Sequence, residues 1–103
     1  MSADDKSAWQ QRTAQLGADW QDAAARGISP DSDEAQALAE RHVAWLTGIP
    51  GTPAAAPGGD VKGYVTGLGE MYVADPRFAA NYGGIEGATL VRDALRSYAD
   101  ARL

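Results

Sequence analysis

GLGEMYVADPRF, residues 67–78, dictates a sharp corner between two helices. Its first half continues an apolar, helix-compatible run. Asp75 is then a good N-cap, because its carboxylate can accept from an orphan N–H of a following first turn. Pro76 falls at the first helical position, where its missing N–H costs nothing and its fixed φ suits the helix. One helix ends here and another begins.

Upstream of the corner, the pattern predicts a helix from Asp60, its expected cap, to about Ala74. Val61, Val65, Leu68 and Tyr72 form an apolar stripe, with Tyr64 and Met71 beside it. Gly63, Gly67 and Glu70 stack on another side at i, i+4 and i+7. Glycine inside a helix costs about 1 kcal/mol relative to alanine, so two on one face call for a reason. Either another helix packs closely on bare backbone, or the strip is a trough beside Glu70 for a flat ligand.

Downstream, a short helix from Asp75 to Tyr82, anchored by Phe78, should end at Gly83–Gly84. A last helix from about Gly87 to Arg102 turns Leu90, Val91, Ala94, Leu95 and Tyr98 inward. Towards the N-terminus, Trp9, Thr13, Leu16, Trp20 and Ala23 recur at helical spacing between Asp4 and about Ala25, with Gly27 as the stop. Arg12 and Gln15 fall outside that stripe. A second helix runs from Asp31 to about Thr47, with Asp31 and Glu34 spaced as a capping box. Its inward face is Ala35, Leu38, His42, Trp45 and Leu46, while Glu40 and Arg41 point away; Gly48 and Pro50 end it. No stretch alternates with period two, so the chain reads as one all-α domain of five helices, residues 1–103.

Between the second and third helices, residues 49–59 (IPGTPAAAPGG) hold three Pro, three Gly and three Ala. Such composition resists helix and strand alike. It reads as a flexible surface loop, or as a lid that orders over a ligand.

Composition narrows the function. A formal net charge of −5 over 103 residues repels phosphate backbones, so no nucleic-acid contact by this chain alone is expected. No apolar run is long enough for a membrane span, and the polar N-terminus is unlike a signal peptide. The expected location is the cytoplasm. There is no cysteine and a single histidine, His42. A lone His on an apolar helical face reads as a core residue, and no ligand spacing suggests a metal. Glu70 and Asp75 do not make an acid–base pair: Asp75 is a cap, and residues five apart share no helical face. The expectation is no enzyme and no cofactor. Three Trp and four Tyr against one Phe point instead to rings with polar edges, suited to a small-molecule cleft.

LGEMYVADPRF, the Gly-rich break and GATLVRDALRSYA together resemble the TipAS antibiotic-recognition domain. AWQQRTAQLGADWQDAAARGISPDSDEAQALAERHVAWL is similar to that family's first two helices. The resemblance implies a globin-like antibiotic-binding domain that takes thiopeptide-like or oligoaromatic antibiotics. It makes Trp20, His42, Trp45, Tyr64, Gly67, Glu70 and Met71 the candidate cleft residues, jointly with the helical faces above. Members that capture ligand covalently carry a cysteine where this sequence has Gly67, so binding here should be reversible. The expected role is drug sequestration giving resistance or self-immunity. The alternative is a ligand-sensing or protein-interaction module of a MerR-type transcription regulator whose DNA-binding part is absent. Periodicity leaves a homodimer open.

Overall fold

The computed structural model describes residues 3–47 and 60–103, and over these the chain is all-α. Its helices are α1 (Ala3–Arg26), α2 (Asp33–Thr47), α3 (Val61–Ala74), α4 (Pro76–Ala79) and α5 (Ile85–Arg102), with a 3-10 turn at Ala80–Tyr82. The expected loop 49–59 and the helix stop at Gly48 and Pro50 lie outside the described residues.

The corner forms as its residues require. Asp75 has the extended backbone that a following proline favours, φ −112° and ψ 114°. Its carboxylate accepts from the Arg77 N–H at 2.9 Å, while its own N–H closes the last turn of α3 on the Met71 carbonyl at 3.0 Å. The Arg77 guanidinium also bonds that carboxylate and holds Asp75 below the usual carboxylate range. Asp60 caps α3 through the Gly63 N–H at 2.9 Å. The helix after the corner is shorter than its pattern suggests. Gly83 and Gly84, at φ 85° and 106°, terminate it, and its last turn tightens into the 3-10 form. Phe78 does not anchor this segment: it is 37% exposed, and Ala79 and Tyr82 are the residues it buries.

At α2 the expected start gives way to a later one. Ser32, not Asp31, takes the cap position, accepting from the Ala35 N–H at 3.2 Å. Asp31 is engaged by the Ser29 hydroxyl within a local turn. Glu34 therefore does not close a capping box, and instead receives both arms of Arg26 from α1 at 2.7 and 2.8 Å. Gly27, at φ 69°, ends α1 as expected.

Helix α5 touches each of the other helices and forms the spine of the core. Its buried face is small and aliphatic: Ala88, Val91, Ala94, Leu95 and Ala99. It begins at Ile85, two residues before the expected Gly87, so Gly87 lies within its first turn. There a Cβ would overlap the Tyr82 carbonyl oxygen. The close approach of α3 to α5 occurs at Gly69, whose Cβ would sit 3.2 Å from the Arg92 Cα. The strip read from sequence is not that contact. Gly67 has nothing within 4 Å of a Cβ, and a Cβ on Gly63 would meet only the Asp60 cap.

These environments set opposite outcomes for one substitution. Gly67→Ala should stabilise the protein by about 0.5–1 kcal/mol, the propensity difference in a helix interior. Gly87→Ala should destabilise it by about 1–3 kcal/mol through overpacking against backbone. Urea denaturation of the two variants checks both signs.

Candidate functional site

The buried aromatics form a directed hydrogen-bonded line across the core. Trp20 on α1 can only donate, and its indole N–H points at His42 Nδ1 on α2, 3.1 Å away. That fixes the histidine tautomer: Nδ1 accepts, so Nε2 carries the proton and donates to the Tyr72 hydroxyl of α3 at 3.2 Å. The Tyr72 ring packs in turn on that of Tyr82, with centroids 5.1 Å apart. His42 is completely buried and stays neutral, burial alone pushing its pKa down to about 4. Burial likewise raises the Tyr72 and Tyr82 hydroxyls above their ordinary values. No buried side-chain nitrogen or oxygen among the described residues lacks a partner.

One ring carries this line to the surface. Trp45, half-buried, meets His42 edge to face at 5.4 Å and stacks on Trp9 of α1, with centroids 5.7 Å apart and planes 21° from parallel. Its indole N–H donates to the Thr13 hydroxyl at 2.9 Å, and that hydroxyl donates to the Trp9 carbonyl at 2.9 Å. Trp45 is thus clamped between α1 and α2 with its polar edge engaged.

The Trp9–Trp45 pair lines a groove of about 370 Å³, together with Arg12, Gln15 and Leu16 of α1 and Arg41 and Ala44 of α2. Trp9, Arg12, Gln15 and Leu16 lie at successive turns of α1; Arg41, Ala44 and Trp45 do the same on α2. A second hollow of about 400 Å³ lies between α1 and the 3-10 turn, sharing Leu16 and Trp45 and lined otherwise by residues such as Thr13, Gln21 and Asn81.

Of the seven residues expected to line a cleft, Trp45 alone lines the groove. Trp20 and His42 lie behind it with no exposed surface. The other four are on α3. Tyr64 and Met71 are half-buried against the core, and Gly67 is open to solvent. Glu70 is exposed and paired with Arg96 of α5. The groove residues outside those seven are Trp9, Arg12, Gln15, Leu16, Arg41 and Ala44. Trp9 and Leu16 had been read as interior, the polar ones as solvent-facing. The available signal was Trp9 at the solvent end of the α1 stripe, with Arg12 one turn on.

Among the described residues no group of three or more His, Cys, Asp or Glu is placed to hold a metal ion, and no helix is long and apolar enough to cross a membrane. Compared with known families, residues 1–98 match the model of the TipAS antibiotic-recognition domain. No curated protein and no solved structure matches the chain.

The neutral core histidine predicts an acid-sensitive fold. His42 titrates near 6.5 when unfolded and near 4 when folded, so protons favour the unfolded chain. Its contribution is fully present above 6.5 and declines as pH falls towards 4. The loss is on the order of 3 kcal/mol. Urea denaturation at pH 7 and pH 4.5 should show that decline in the parent and a much flatter response in His42→Gln.

Proposed function

The chain belongs to the TipAS antibiotic-recognition domain family, and on that premise we propose that it binds a bulky aromatic antibiotic reversibly and withholds it from its target. The observation that carries the placement is the stacked Trp9–Trp45 pair lining an open groove. Indole faces held at a fixed angle take planar rings without prior reorganisation. Trp20 and His42 serve this groove from behind, by fixing Trp45. Reversibility follows from the chemistry of the chain: it has no cysteine, and Gly67 offers no nucleophile.

The α3 face carrying Tyr64, Gly67, Glu70 and Met71 is the other surface within this proposal. Sequestration needs no second component and would give resistance or self-immunity in the cytoplasm. The net charge of −5 disfavours DNA contact by this chain, so in a MerR-type regulator it would serve as the ligand-sensing part.

Titration of tryptophan fluorescence with thiopeptide and oligoaromatic antibiotics tests the reading. A ligand present at about 100 times its Kd should stabilise the fold by about 2.7 kcal/mol. Trp45→Ala should weaken binding by about 2 kcal/mol or more while the helical circular dichroism persists. Loss of binding in Met71→Ala, with Trp45→Ala unaffected, would move the ligand to α3. The mass of the ligand should be unchanged after incubation. Silence across the whole panel in both fluorescence and thermal shift would sink the proposal.

The open space at Gly67 allows a gain-of-function experiment. Gly67→Cys should fold normally, since its Cβ meets no neighbour. With a dehydroalanine-containing thiopeptide bound at α3, it should acquire the mass of a covalent adduct that the parent never shows.

A further inference from the structure

Arg12 and Arg41 both stand on the Trp9–Trp45 groove, in a chain of formal net charge −5. Their situations differ. Arg41 is tied to Asp19 at 2.8 Å, and Gln15 donates to the same carboxylate at 2.8 Å. Those two bonds, the arginine's first, hold Asp19 below the usual carboxylate range. Arg12 is exposed and has no ion pair or hydrogen bond with any described residue. One end of the groove is therefore neutralised and the other carries an uncommitted guanidinium.

We infer that the groove selects aromatic ligands that carry a carboxylate, with the rings against Trp9 and Trp45 and the carboxylate on Arg12. The guanidinium fork matches a carboxylate through two parallel N–H···O bonds. Arg12 lies one turn beyond Trp9 on the same groove, within reach of a carboxylate attached to a ring seated there. Asp19 repels a second anion at the Arg41 end, which gives the ligand one orientation. A volume of about 370 Å³ accommodates a short run of linked rings. The inference rests on the groove being the ligand site, as proposed above.

Biphenyl-4-carboxylate and biphenyl-4-carboxamide, nearly identical in shape and different in charge, are suitable probes for calorimetric titration. The carboxylate should bind about five- to tenfold more tightly, and added salt should shrink that advantage. Arg12→Gln should bring the carboxylate down to the affinity of the carboxamide, and Arg12→Lys should keep part of the preference. Equal binding of the two probes, or a preference that survives in Arg12→Gln, overturns the inference and leaves the groove reading intact. No binding of either probe at millimolar concentration also overturns it. Whether the groove reading falls too is decided separately, by the antibiotic panel with Trp45→Ala.

Discussion

The hydrogen bond from Trp20 to His42 sets the polarity of everything polar in the core. An indole has one donor and no acceptor, so it forces Nδ1 to accept and Nε2 to donate. The Tyr72 hydroxyl must then accept. Three helices distant in sequence are joined by one consistent direction of donation. A protonated His42 would present a second N–H to an indole that cannot accept it. The neutral ring is thus a condition of the packing, and burial, which depresses its pKa, acts in the same direction.

Around that line, backbone proximity does what side-chain bulk cannot. The small residues of α5 let several neighbours settle on one helix, and Gly69 and Gly87 mark where a methyl group would push the chains apart. With α3 drawn onto α5, the long side chain of Tyr72 reaches His42 of α2. The α1–α2 side is left to present the tryptophan groove.

How much of this was legible depended on the range of the interaction. The Asp75–Pro76 corner, the Asp60 cap and the Gly27 and Gly83–Gly84 stops are local, and their residues suffice to specify them. The start of α2 was misread because three residues in a row, Asp31, Ser32 and Asp33, can all cap, and the turn held by Ser29 decided among them. The all-α class and the histidine in the core followed from helical periodicity, which sees one face at a time. The groove is made by two helices facing each other. Arg12, Gln15 and Arg41 each looked solvent-facing on their own helix, and only the crossing of α1 and α2 brings them beside Trp9 and Trp45. The glycine strip is not the packing contact for the same reason: the approach to α5 is one helical side away, at Gly69.

The clamp on Trp45 has a consequence for breadth of recognition. Its N–H is held by Thr13, whose hydroxyl is in turn committed to the Trp9 carbonyl. The groove therefore meets apolar indole surface at Trp45 and no directional donor from it. Sites that discriminate strongly do so by leaving a buried polar group stranded when the wrong molecule enters; an aromatic surface imposes no such penalty, and one methylene more or less changes little. As the antibiotic site proposed above, such a surface would tolerate changes to a guest's rings and leave discrimination to the carboxylate proposed for Arg12.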